Sequence, residues 1–205
     1  MEDLLKVNVN IPQEIKDGVV QSLPVVNDIK DIELRQKVID AWALSLALNG
    51  YKRIEEMPGS GMPDAPVKGN QLHHILGVAY MAVAMKECLE KVFNEPLGVD
   101  DDMLLAAALC HDVGKPYEFN PENIKRWRED PRESGSPALR HPAYGAYIAL
   151  TVGLPEAVVH ACGCHSPEGR FVKRSLGTTI VHYADDSYWF ILESAMNWYG
   201  QIPKL

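Results

Sequence analysis

The run Leu104-Leu105-Ala106-Ala107-Ala108-Leu109-Cys110-His111-Asp112-Val113-Gly114-Lys115 is an apolar helix pattern that ends on an imidazole beside a carboxylate and then turns at Gly114. Adjacent nitrogen and oxygen donors at the rim of a core suit a divalent cation of hard to borderline character. His74 lies upstream, and His141, His165 and Asp185 lie downstream, each on or beside its own apolar segment. Side chains from several helices can therefore converge, as they do in helical carboxylate and histidine metal proteins. Two cations roughly 3.5 to 4 Å apart lower the pKa of water toward neutrality and hold the attacking and leaving oxygens of a phosphoester displacement. That chemistry needs no nucleophilic serine or cysteine.

Bringing these groups together requires helices. Pro12 to Leu23 and Asp28 to Asn49 have helical patterns, the second with Ile32, Leu34, Val38, Ile39, Trp42, Leu44, Leu46 and Leu48 stopped by Gly50. The prolines and glycines from Met57 to Pro66 break any regular element and predict a loop leading to the first histidine. From Gln71 to Phe93 the apolar period is helical and places His74, Val78, Met81 and Met85 on one face. Asp100, Asp101 and Asp102 supply caps and favourable charge for the helix that carries His111. Tyr117 to Leu139 is polar, with a short helix around Ile124 to Glu129, and is the lid candidate. Helices follow near His141 to Val152, Pro155 to Cys162 and Thr178 to Trp198. No repeat or strand alternation calls for a sheet, so the expected class is all-α.

With these segments in place the chain resembles the HD superfamily of metal-dependent phosphohydrolase-like proteins. The resemblance is carried by His74-Ile75-Leu76-Gly77-Val78-Ala79, His111-Asp112-Val113-Gly114-Lys115, His141-Pro142-Ala143-Tyr144-Gly145-Ala146, His165-Ser166-Pro167-Glu168-Gly169-Arg170 and Ala184-Asp185, in family order. It implies an HD-domain helical bundle over 71–198, preceded by an N-terminal helical extension (1–56) and a loop (57–70), all within one domain of 205 residues. It also implies two divalent ions, Fe or Mn before Zn, Mg or Co. One ion would take His74, His111 and Asp185, the other His141 and His165, and Asp112 would bridge. His73 competes with His74, and Asp186 with Asp185. His160 and His182 are candidates to support the ligands or replace one, and His73 is a further supporting candidate. Cys162-Gly163-Cys164-His165 looks like a chelating triplet, but no matching cysteine pair accompanies it, so two small buried thiols are the preferred reading.

A net charge of -8 argues against a nucleic-acid polymer as partner, because phosphate neutralisation needs a basic face. A small anionic substrate held by a few local cations fits better. Lys115, beside Asp112 in the catalytic turn, and Arg126, Arg128 and Arg140 in or beside the lid candidate are the expected substrate-binding cations. The acidic start and interrupted apolar stretches give no signal peptide and no membrane span, so a cytoplasmic location is expected, with an oligomer open. Four cysteines do not make a disulfide framework in a chain of this length.

The His165-Ser166-Pro167-Glu168-Gly169-Arg170 segment is similar to the His-Thr-Thr-Gly-Arg ending of bacterial dinucleoside tetraphosphate hydrolases of this superfamily, with one residue inserted. The glycine-tyrosine-proline segment of cyclic-dinucleotide phosphodiesterases is missing, since Arg170-Phe171-Val172 follows Gly169. The expected function is hydrolysis of a small phosphorylated or nucleotide substrate. The alternatives are a diiron oxygenase of the inositol-oxygenase or phosphonate-oxygenase type on the same scaffold, and a non-catalytic metal sensor.

Overall fold

The structure, a computed structural model, describes residues 11–59 and 69–196. The start of the chain, most of the Met57 to Pro66 loop and Trp198 therefore lie outside the described residues. The chain opens with α1 (Gln13–Ser22), a 3-10 turn (Pro24–Asp28) and α2 (Ile32–Leu48). Asp31 caps α2 by accepting from the backbone N–H groups of Glu33 and Leu34. In its second half α2 buries Ala41, Trp42, Ala43, Leu44, Ser45 and Leu46 in succession, so it runs through the core and is not a covering arm.

The long helix α3 (Gln71–Phe93) starts at Asn70, which forms a capping box with His73, and stops at Asn94 in the left-handed conformation. Its buried face is Gln71, His74, Ile75, Val78, Ala79, Ala82 and Lys86. Met81 and Met85, expected on that face, are only partly buried. The next helix, α4 (Asp101–Cys110), has Asp100 as its cap and buries every residue from Leu104 to Cys110. A helix apolar all round belongs at the centre, and α4 packs against α2, α3, α9 and α10.

Three short helices follow: α5 (Lys115–Phe119), α6 (Pro121–Glu129) and α7 (Pro131–Ser134). They occupy the expected lid, but they are docked. Trp127 is 3% exposed and packs on Tyr117, whose ring stacks on Tyr144 at 4.4 Å. Tyr51 donates to the Phe119 carbonyl and Asn120 to the Asn49 carbonyl. The chain closes with α8 (His141–Thr151), α9 (Glu156–Cys164), a 3-10 turn (Pro167–Phe171) and α10 (Leu176–Ala195). Ser175 caps α10, so that helix starts two residues before the Thr178 expected from periodicity. The fold is all-α: the described residues contain no strand, only a lone bridge between Pro58 and Asn70. None of the described helices is long and apolar enough to cross a membrane.

Two buried hydrogen bonds tie α2 to the end of α4. The Trp42 indole N–H donates to the Leu109 carbonyl at 2.8 Å, and the Ser45 hydroxyl to the Val113 carbonyl at 2.6 Å. Those carbonyls flank His111 and Asp112. Trp42→Phe leaves the Leu109 carbonyl without its donor and opens a void, so it should lower unfolding free energy by about 2–4 kcal/mol. Urea denaturation of the two proteins side by side measures this, and an unchanged midpoint would contradict it.

Candidate metal centre

Helix α4 ends at His111, and tight backbone turns follow from Val113 N–H to the Cys110 carbonyl and from Lys115 N–H to the Asp112 carbonyl. The turn passes Gly114 against the start of α8. A Cβ on Gly114 would lie 2.0 Å from the His141 carbonyl oxygen and 2.6 Å from the Gly145 nitrogen. Only glycine permits this approach, which carries His141 to Asp112. On the opposite side, a Cβ on Gly77 would lie 2.4 Å from the Tyr188 ring. That contact lets α10 lie close on α3, and Asp185 reaches His74 one turn away.

The six expected ligands converge. His74 Nε2 is 3.1 Å from His111 Nε2, 3.3 Å from Asp112 Oδ2 and 3.3 Å from Asp185 Oδ1. His141 Nε2 is 3.1 Å and His165 Nε2 3.6 Å from Asp112 Oδ1, and the two nitrogens are 3.4 Å apart. The Asp112 carboxylate thus turns one oxygen to each set of histidines. Three overlapping groups can each hold an ion: His74 with His111 and Asp112; His111 with His165 and Asp185; Asp112 with His141 and His165. Among the described residues His111, Asp112 and His165 each belong to two of them. His74, His111, Asp112, His141 and His165 are all buried.

Hydrogen bonds behind the rings decide which nitrogen faces inward. His111 Nδ1–H donates to the Ala108 carbonyl and His165 Nδ1–H to the Ala161 carbonyl, so each presents an unprotonated Nε2 to the cluster. His141 Nδ1 is paired with Glu118 Oε2. His74 Nδ1 has no hydrogen-bond partner among the described residues; its ring stacks on Trp189 at 4.9 Å and meets Tyr188 edge-on at 5.0 Å. Asp185 Oδ1 is likewise buried without a hydrogen-bond donor. The Gln71 side-chain amide donates to Asp112 Oδ2 at 2.8 Å. Lone pairs and carboxylates facing one another, with an orphaned Asp185 oxygen among them, are what bound cations would satisfy.

Burial favours the neutral ring at two of these histidines. Burial pushes His111 and His141 down from 6.5 to about 4, so both are neutral at neutral pH. Burial also opposes charge on His165, but the hydrogen bond and charge of Asp112 outweigh it and raise that group. Asp112 is penalised by burial, yet Lys115 first, then His111 and His141, hold it well below the usual carboxylate range. Glu118 falls to about 2, because the His141 hydrogen bond and the Lys115 charge overcome its burial.

Of the expected cations, two are at the centre. Lys115 Nζ lies 3.7 Å from Glu118 Oε2 and sits over the Phe119 ring. Arg140 pairs with Glu168 at 3.1 Å and approaches Glu118 at 3.8 Å. Arg126 and Arg128 are exposed on α6, whose buried residue is Trp127. Arg126 donates to Asn123, and Arg128 lines a shallow depression with Pro121, Ile124, Lys125 and Glu129. His73 is exposed and serves the α3 cap, while His160 accepts the Ser175 N–H and His182 faces Asp186 at 3.7 Å. None of the three belongs to an ion-holding group among the described residues. The Cys110 and Cys162 thiols are driven upward by burial and stay protonated, which fits buried thiols. Glu118, Gln71, Trp189 and Arg174, which clamps the Cys164 and Ser166 carbonyls, were not singled out from sequence. Gln71 alone had a signal, three residues before His74 on the same face.

A family model described as "HD domain" matches residues 72–187, more than half of the chain. The chain is also similar to a dihydroneopterin 2',3'-cyclic phosphate phosphodiesterase from Methanocaldococcus jannaschii, at 32% identity over 172 residues. The match covers 80% of this chain and 66% of that protein. No solved structure gives a significant match.

In the metal-free protein, His111 and His141 take up protons when unfolded below about 6.5 but when folded only below about 4. The unfolded state therefore binds more protons across that window, and stability falls as pH drops through it. His165, raised, works in the opposite direction, but it is one group against two. The net loss should be on the order of a few kcal/mol between pH 7 and pH 4. Urea midpoints in the presence of chelator across that range test the sign; a flat profile would refute it.

Proposed function

We propose that this chain, which belongs to the HD domain family, is a metal-dependent phosphohydrolase acting on a small phosphorylated substrate. The observation that carries the reading is the Asp112 carboxylate, buried between two histidine sets with one oxygen toward each. On this reading His74, His111 and Asp185 hold one divalent ion, His141 and His165 hold another, and Asp112 bridges. The mixed imidazole and carboxylate donors favour Fe or Mn, with Zn, Mg or Co as alternatives. When bound, the ions supply a water nucleophile of lowered pKa and neutralise charge on the phosphoryl group.

The chain's own residues do the rest. His111 and His141, neutral at neutral pH, and an ionised Asp112 are ready to ligate without first losing protons. Lys115 and Arg140, both near Glu118, bind non-bridging phosphate oxygens; the Arg140 side chain is 44% exposed, so a ligand can reach it. Arg126 and Arg128 drop out of the substrate set. The similar archaeal protein is named for a 2',3'-cyclic phosphate diester, which makes small cyclic phosphodiesters the first substrates to test. Such a reaction opens the ring by adding water across one P–O bond and leaves a phosphomonoester and a free hydroxyl.

Removing ligands should resolve the two halves. Asp112→Ala is expected to lose all tightly bound metal while its helical circular dichroism persists, whereas replacing His141 and His165 together with alanine should leave about one ion where the wild type holds about two. Metal analysis by mass spectrometry counts them; two ions retained in the double variant would reassign the second set. Stripping the metal should also lower the melting temperature.

Turnover of cyclic phosphodiesters, nucleotides or phosphomonoesters should proceed without O₂ in the presence of Mn²⁺ or reduced iron. Lys115→Ala should reduce kcat/KM by on the order of 10². The same panel run with and without oxygen separates the reaction classes: oxygen uptake on a polyol or phosphonate, with no phosphate compound consumed, would replace the hydrolase by an oxygenase.

A further inference from the structure

We infer that Glu118 is a positioning residue that makes the two halves of the centre unequal, strengthening the hold of His141 on its ion. The inference rests on the two-ion reading above. The four inward-facing histidines differ in what stands behind them. His111 and His165 are backed by neutral carbonyls, and His74 by aromatic rings with no hydrogen bond at Nδ1. His141 alone is backed by a carboxylate. A carboxylate that accepts the ring N–H draws that proton toward itself and leaves more electron density on Nε2, the atom that faces Asp112.

The geometry of Glu118 fits that duty closely. Its Oε2 meets the His141 ring nitrogen and also accepts the His141 backbone N–H at 3.2 Å, so one oxygen fixes both the start of α8 and the rotation of the ring. Its side chain is 15% exposed, and Lys115 at 3.7 Å and Arg140 at 3.8 Å hold it from two sides. Glu118 sits on α5, directly after the turn that carries Asp112, so the bridging carboxylate and the His141 support share one short rigid segment. Among the described residues no carboxylate hydrogen-bonds to the outer ring nitrogen of His74, His111 or His165. The ion on the His141 side therefore gains a donor strengthened by a full charge, and the other ion does not.

Calorimetric titration of the metal-free full chain with Mn²⁺, for wild type, Glu118→Gln and Glu118→Asp, tests the assignment. Glutamine keeps an acceptor oxygen but removes the charge. We expect two binding steps in wild type, and in Glu118→Gln one step unchanged with the other about 10–100-fold weaker. Glu118→Asp retains the charge on a shorter arm and should fall between the two. A purely structural role would lower the melting temperature of the metal-free protein and weaken both steps alike; that result, or two unchanged steps, overturns the inference. Should the glutamine variant not fold, the aspartate variant decides by the same criterion. A wild-type chain that takes up a single ion overturns the two-ion reading and this assignment together, whereas two wild-type steps left intact by the variants overturn the role of Glu118 alone.

Discussion

Two carboxylates and the inward nitrogens of His111, His141 and His165 crowd acceptor lone pairs into a largely dry space with few donors to meet them. The Gln71 amide meets one oxygen of Asp112, while Asp185 Oδ1 finds no hydrogen-bond donor among the described residues. The polypeptide must therefore hold the cluster together from outside it. The rest of the architecture can be understood as that scaffold. Trp42 and Ser45 grip the carbonyls on either side of the His111-Asp112 turn. Gly114 and Gly77 allow α8 and α10 to come close enough for His141 and Asp185 to arrive. Helix α4, buried along its length, is the post to which α2, α3, α9 and α10 are fixed.

Cations reverse the sign of this balance. Each inward lone pair that is a liability in the empty arrangement becomes a donor once positive charge is present, so folding and ion uptake are linked through the same atoms. Helix α4 also runs its C-terminal end toward the centre, and the partial negative charge of that end favours a cation there. The apolar packing of α2 and α4 supplies stability that does not depend on the ions.

The sequence made the clustered histidines and aspartates legible because each lies on or beside an apolar helical segment, and because the five segments occur in a recognisable order. Helices α3 and α10 were legible from periodicity, although the buried face of α3 ran through Ala79 and Ala82 where Met81 and Met85 were expected. Three features were not legible. Glu118 was hidden in a stretch of mixed charge, where nothing local tells a solvated carboxylate from one folded back onto a histidine 23 residues later. The same stretch concealed that Trp127 would be the buried residue of α6, with Arg126 and Arg128 exposed. The aromatic support of His74 by Tyr188 and Trp189 depends on how closely α10 approaches α3, a distance set by Gly77 that helical period does not encode.

His111 and His165 are each the residue at which a helix stops, and each ring donates to a carbonyl in the last turn of its own helix. The Ala108 carbonyl and, on α9, the Cys162 carbonyl that the His165 ring also reaches at 3.1 Å are among the acceptors a helix end leaves open. One bond thus both orients a donor and seals a helix. Mutational drift is constrained as a result: a descendant that gave up the ions could not simply exchange these histidines for apolar residues, since two interior helix ends would be uncapped at the same time. Abandoning the chemistry would first require a new way to finish α4 and α9, so the fold itself resists the loss of its metal site.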